Sequence, residues 1–355
     1  MRTELKRLLA TLIFMVILAN SALALPQGWF STSIVSGTTN NLFADSTNIE
    51  DYYSSLNFVY EQPLTDNLLL YYDGLGEIYY KTSSLTNLDH NAGIEVGKYI
   101  KNRGEIFTGL SGFMLNYRDD YELFNRQGAG LKSGFRWISS PFVRWRSGVD
   151  LSYNDYPNDD TLAVSYSESY LYLGVNIATK QKIALDISPG LQFRRYSELD
   201  TPANTSYFWI NSRISRPIGD KTGVSLGAMI REQVSVSGDA ISALVQGGID
   251  PGDLLWSGYN VNASLNYGKM PWFISFSTRL SQKKYTETFS VTGVDQRKDD
   301  VLELRLHGKY VLNVPNNWPN ISVGTNLNYT NNESSDSYFT YDGFSASAYL
   351  VIRSR

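Results

Sequence analysis

The sequence has no cysteine, only two histidines and, beyond its first residues, no long apolar run. The missing thiols exclude disulfides, thiolate metal sites, thiol nucleophiles and a bacterial lipoprotein anchor. The histidines, His90 and His307, stand far apart in the chain, a poor basis for a dedicated transition-metal site. A Gly-rich phosphate cradle is also missing, so no cofactor is expected. A formal charge of -4 argues against a nucleic-acid partner. Mean hydropathy is -0.25, which excludes a bundle of membrane helices. It does not exclude a membrane barrel, in which only one face of each strand meets lipid.

Tyrosine is what the chain has in quantity: 25 residues, against 16 Phe and 7 Trp. Its apolar ring and polar tip suit a membrane–water boundary, although soluble β-proteins are also Tyr-rich. The N-terminus reads as an address. Arg2, Lys6 and Arg7 are a basic start, residues 8–18 are apolar, and Ala22-Leu23-Ala24 fits small-x-small cleavage. Residues 1–24 are therefore expected to be a secretory signal, and 25–355 one domain.

Past Leu25 the chain alternates polar and apolar side chains over segments of ten or more residues. Val261, Ala263, Leu265 and Tyr267 oppose Asn260, Asn262, Ser264 and Asn266. Leu302, Leu304, Leu306, Tyr310 and Leu312 oppose Glu303, Arg305, His307 and Lys309. Soluble sandwiches alternate too, but with strands of about five or six residues. Tight turns are expected at 63–66, 101–104, 139–141, 179–181, 217–221, 268–271 and 313–319. Long polar loops fall between them, at 37–51, 81–89, 118–126, 154–163, 197–204, 237–255, 286–300 and 331–342. The expected fold is all-β: one antiparallel transmembrane β-barrel of about 16 strands, with short periplasmic turns and long extracellular loops. A count of 14 is the alternative, turning on the first strand and on a bulge near Pro189.

Two stretches carry a resemblance. Asn41-Leu42-Phe43-Ala44-Asp45-Ser46, followed by Asp51-Tyr52-Tyr53, is similar to the first loop and second strand of outer-membrane barrels. The ending Tyr349-Leu350-Val351-Ile352-Arg353-Ser354-Arg355 resembles a terminal strand read by the barrel assembly machinery, with Arg355 where Phe or Trp is usual. The chain thus resembles the bacterial outer-membrane β-barrel superfamily, and within it the porin-like members. The resemblance implies an integral outer-membrane protein with both termini periplasmic. Its partners would be outer-membrane lipid, the assembly machinery and small solutes, and it leaves oligomeric state open.

Charges on the lipid face near mid-depth would cost about 2–4 kcal/mol each for Arg or Lys. The pore-lining candidates are therefore Asp73, Glu77, Glu95, Lys132, Arg136, Arg144, Arg146, Arg279, Glu303, Arg305, His307 and Lys309. Their bias is basic. Lys132, Arg136, Arg144 and Arg146 on neighbouring strands are expected to form a patch, with Asp73 and Glu77 several strands away. Such an arrangement gives a weak anion preference, unless the charges merely pair across strands. In the loop 237–255, Ile241, Leu244, Val245 and Ile249 are too apolar for water; they would make a constriction, a lid or a contact with a partner.

Three functions follow. The first is a porin-like channel for passive diffusion of small hydrophilic solutes, and it is the preferred reading. The second is a non-catalytic barrel that sheathes or docks a partner, such as a secreted protein or a cytochrome. The third is an outer-membrane hydrolase, for which His307 and His90 would be the candidates; no Gly-x-Ser-x-Gly accompanies them, and no enzyme activity is expected. Mass spectrometry of the mature protein is expected to give Leu25 as its first residue. An intact Met1 would contradict the cleaved signal.

Overall fold

The computed structural model describes residues 28–101, 103–157, 165–196, 203–236, 256–285, 297–315 and 318–354. They form sixteen strands. The first eight are β1 (Trp29–Thr39), β2 (Asp51–Thr65), β3 (Leu68–Tyr79), β4 (Asn87–Ile100), β5 (Gly104–Tyr117), β6 (Arg126–Ser140), β7 (Val143–Asp155) and β8 (Tyr166–Ala178). The second eight are β9 (Ala184–Tyr196), β10 (Ala203–Pro217), β11 (Thr222–Val236), β12 (Trp256–Lys269), β13 (Trp272–Tyr285), β14 (Lys298–Val311), β15 (Asn320–Ser334) and β16 (Tyr341–Arg353). Each strand pairs antiparallel with its sequence neighbours, and β1 pairs with β16 to close the barrel. Closure is what a bilayer demands, because an open edge would leave N–H and C=O groups unpaired in hydrocarbon. Strands run from 11 to 15 residues. Thirteen residues at a barrel tilt of ~40° cross about 33 Å, enough for the apolar band of an outer membrane.

The rhythm of connections holds. One rim has the short links 66–67, 141–142 and 270–271; the other has the long ones, such as 40–50, 118–125 and 335–340. Strand ends extend further than their sequence signals suggest. β2 runs through Pro63 to Thr65, with a register shift between Pro63 and Thr65 taking up the imino residue. β14 begins at Lys298, inside the expected loop. No bulge marks Pro189. The pairs Tyr172↔Gly190 and Val175↔Ile187 keep one register on either side of it, and Pro189 itself stands opposite Ile210.

Opposed residues share a face, so the register can be followed round the wall. Leu304, Thr278, Ala263, Leu226, Ile214, Leu185, Ile177 and Val143 oppose one another in turn from β14 to β7. One residue along each strand, Glu303, Arg279, Asn262, Gly227, Arg213, Asp186, Asn176 and Arg144 do the same. The first row is the lipid face, where Leu226 is 57% exposed; the second is the inner wall. Near the short-turn rim the outer face carries aromatic rings. Trp137 stands opposite Trp145, and Trp272 meets Tyr310 edge-on at 4.6 Å. Such rings anchor a barrel at the interface. His90 also lies on the outer face, its Nδ1 2.7 Å from the Tyr72 hydroxyl.

The seam between first and last strands is held at the short-turn end. Ser354 donates its N–H to Phe30 O at 2.9 Å, and Phe30 N–H returns a bond to Ser354 Oγ at 2.8 Å. Beside it Phe30 and Phe58 are buried against Tyr60, Tyr72 and Ile352.

At the long-loop rim the motif 41–53 folds the first loop. Asn41 donates to Asp45 O at 2.8 Å, and Asp45 N–H returns to Asn41 Oδ1 at 3.3 Å. Tyr338, in the last loop, donates its hydroxyl to Asp45 at 3.2 Å, and the Asp45 charge pushes the Tyr338 phenol pKa up. Asp51 is fully buried and accepts backbone N–H bonds from Tyr52, Tyr80, Lys81 and Thr82 at 2.6–3.2 Å. One carboxylate thus ties β2 to the chain leaving β3. Asp51→Ala would strand these donors, at a cost of about 1–3 kcal/mol. Urea unfolding of the reconstituted barrel is expected to show that loss, with Asp51→Asn losing less; an unchanged midpoint would contradict the role.

Candidate functional site in the inner wall

The register places Asp73, Glu77, Glu95, Lys132, Arg136, Arg144, Arg146, Arg279, Glu303, Arg305, His307 and Lys309 on one face. Lys132, Arg136, Arg144 and Arg146 come together on β6 and β7 as their spacing suggests, but among the described residues carboxylates meet all of them except Arg144. Arg136 stands directly opposite Arg146, a repulsive pairing. The two side chains turn away from each other. Arg136 reaches back to Glu105 on β5 at 2.9 Å, while Arg146 reaches across β8 to Asp186 on β9. That second pair is bidentate, at 2.7 and 2.6 Å. The residue crossed on β8 is Gly174; a Cβ there would lie 2.7 Å from Arg146 Nε and 2.9 Å from its Cγ. Glycine is what allows the arginine to lie flat on the wall.

Pairing continues round the barrel. Lys132 meets Glu95 at 2.6 Å, Arg194 meets Glu168 at 2.5 Å, and Glu303 is shared by Arg305 at 2.6 Å and Arg279 at 3.6 Å. Asp73 and Glu77 accept from Asn57 and Asn87 instead, at 3.1 and 3.3 Å. Arg144 and Lys309 have no carboxylate partner among the described residues. Glu105 and Asp186 answer much of the basic bias. Glu105 was legible in principle, since it is opposite Arg136 once the β5–β6 pairing is set; only three-dimensional reach links Asp186 to Arg146, because a whole strand intervenes.

Toward the long-loop rim, β8–β14 carry a layer that the sequence reading missed. Arg194 sits over Tyr166 at 4.2 Å, and Arg231 over Tyr207 and Trp256 at 4.1 and 4.4 Å. Arg297, just before β14, sits over Tyr285 and Phe339 at 4.4 and 3.3 Å. All these tyrosines and Trp256 are buried. Tyr170 and Trp209 stack at 5.2 Å in the same face. Composition says only that tyrosine suits a membrane boundary. Here parity is the better guide, because Tyr207 and Trp209 alternate with Phe208 and Ile210.

The opposite stretch, from β12 through β16 to β2, is rich in Ser and Asn, with Arg279, Glu303, Arg305 and Lys309 among them. Ser275 donates to Asn266 at 2.7 Å, while Asn326 and Asn328 donate to Ser347 and Ser345 at 3.3 and 3.2 Å. His307 lies among them, its Nδ1 2.7 Å from Asn326 Oδ1 and its ring stacked on Tyr349 at 5.6 Å. Neither histidine has a hydroxyl–carboxylate constellation around it, and no acidic or histidine cluster able to hold a metal occurs among the described residues. The loop candidates Ile241, Leu244, Val245 and Ile249 lie outside the described residues.

A closed antiparallel barrel with an apolar outer wall and a polar interior defines the class: a sixteen-strand β-barrel of the kind that crosses a membrane. OccAB1 of Acinetobacter baumannii superposes with a TM-score of 0.55 and 10% identity, over 92% of this chain and 95% of that one. The outer membrane protein OpdK of Pseudomonas aeruginosa gives 0.52 and 12%, over 93% and 99%. At these identities the likeness is one of fold. No protein-family model and no curated protein matches the sequence.

Gly174→Val would drive a methyl group into the Arg146 stem, at a cost of about 1–3 kcal/mol. In urea unfolding, Arg146→Ala is expected to relieve most of that loss. Strictly additive effects would show that the arginine does not lie over Gly174.

Proposed function

We propose that this chain is an outer-membrane channel for passive diffusion of small hydrophilic solutes, with both termini in the periplasm and residues 1–24 removed on export. The observation that carries this reading is the exposure of charge inside the wall. Arg136 and Arg305 are paired with acids, yet their side chains remain 60% and 59% exposed. A dry or tightly packed lumen would not hold guanidinium groups in that state, because burial of charge is costly unless compensated. Sixteen strands also enclose more space than their own side chains fill.

Ion pairing makes the wall a weak filter. Exposed pairs contribute about 0–1 kcal/mol each to stability, so their main effect is to cancel one another's field. Arg144 and Lys309 are set against Asp73 and Glu77 several strands away, equally without an ion-pair partner among the described residues, and the slight excess of bases over acids that remains tilts the pore toward anions. The inner wall presents hydrogen-bonding and charged groups along its strands, which supports transport of hydrophilic solutes.

In planar bilayers the purified barrel is expected to insert with discrete conductance steps. A salt gradient is expected to give a small reversal potential of anion-preferring sign, reduced by Arg144→Gln with Lys309→Gln. Folded protein that inserts without conducting would overturn the channel, and marked cation selectivity would overturn the assigned preference.

A further inference from the structure

We propose that the inner wall formed by β13–β16, β1 and β2 holds a binding site for uncharged, hydroxyl-rich solutes, with sugars as the chemical class. The proposal rests on the channel reading and adds a substrate class to it. Its first support is shape. A cavity of about 470 Å³ lies against this wall, lined by Tyr53, Ser55, Ser277, Asn328 and Ser347 among others. That volume falls within the range of about 300–1,000 Å³ typical of small-molecule sites. A second cavity, of about 640 Å³, opens along β9–β14 toward the short-turn rim. Both are lined by Ser275 and His307, so the two spaces meet there.

The second support is chemistry. Hydroxyl and amide side chains dominate the lining of the smaller cavity, and each of these can both donate and accept. A sugar needs that, because every hydroxyl of its own does the same. Arg305, which also lines the smaller cavity, is paired with Glu303, while Lys309, which has no carboxylate partner among the described residues, stands outside that lining. The Asn–Ser bonds are long, at 3.2–3.3 Å, so exchanging them for solute hydroxyls sacrifices little. The stacked rings of His307 and Tyr349, tilted by only 6°, add a flat surface suited to the C–H face of a pyranose. The wall from β4 to β9 carries more charge, with the three ion pairs Glu95–Lys132, Glu105–Arg136 and Arg146–Asp186.

The test uses the full mature barrel and sucrose as probe, with gluconate as the charged comparison. In planar bilayers sucrose is expected to reduce potassium chloride current beyond its bulk-viscosity effect, and gluconate to do so less. The double variant Asn326→Ala/Asn328→Ala is expected to raise the half-blocking concentration about fivefold or more. His90→Ala, on the outer face, is expected to leave it unchanged. Titration calorimetry on the detergent-solubilised barrel separates this proposal from the channel itself. Conductance without sucrose block, and without heat of binding, would overturn the site and leave the channel. Sucrose heat that the double variant abolishes, in a barrel that does not conduct, would support the site and overturn the channel. Loss of both conductance and heat would overturn both. Thermal shift of electrophoretic mobility verifies that each variant is folded.

Discussion

Closure of the sheet between β1 and β16 is the constraint on which the rest depends. In hydrocarbon an unpaired strand edge has no water to turn to, so sixteen antiparallel strands must form one ring. Once the ring exists, each strand has a lipid face and an inner face, and the pairing register carries that division from strand to strand. The apolar row from Leu304 to Val143 and the polar row from Glu303 to Arg144 are two readings of the same hydrogen-bond ladder. Asp51 and the Phe30–Ser354 contacts matter because they hold the ring's loops and its seam.

Closure also forces the inner side chains together. Opposed arginines at 136 and 146 would repel, and the wall resolves this by turning them in opposite directions. Gly174 is the local condition for one of those turns. The result is an interior divided by chemistry. Paired charges line β4–β9, aromatic rings hold arginines toward the long-loop rim of β8–β14, and Ser and Asn predominate from β12 to β2. Solutes moving through such a lumen would meet different chemistry on different sides.

Much of this was legible in one dimension. Two-residue alternation over Asn260–Tyr267 and Leu302–Lys309 marks faces that the register bears out. The spacing of turns marks the rims. Strand ends were less legible, since polar residues such as Lys298 and Asp299 occur inside strands as well as in loops. Partnership was the least legible. Arg146 and Asp186 are forty residues apart and belong to strands that do not touch, so no local pattern joins them. The aromatic layer is invisible to composition, which cannot say which face a tyrosine occupies, whereas parity can.

The most direct test of the account is thiol accessibility along β14, made clean by the absence of native cysteine. Single substitutions Leu302→Cys, Glu303→Cys, Leu304→Cys, Arg305→Cys, Leu306→Cys and His307→Cys would be exposed to a small, charged, membrane-impermeant thiol reagent in reconstituted vesicles. Reaction at 303, 305 and 307 with protection at 302, 304 and 306 is the predicted pattern of a wet lumen behind a lipid-facing wall. Uniform protection, or labelling with the opposite parity, would contradict it.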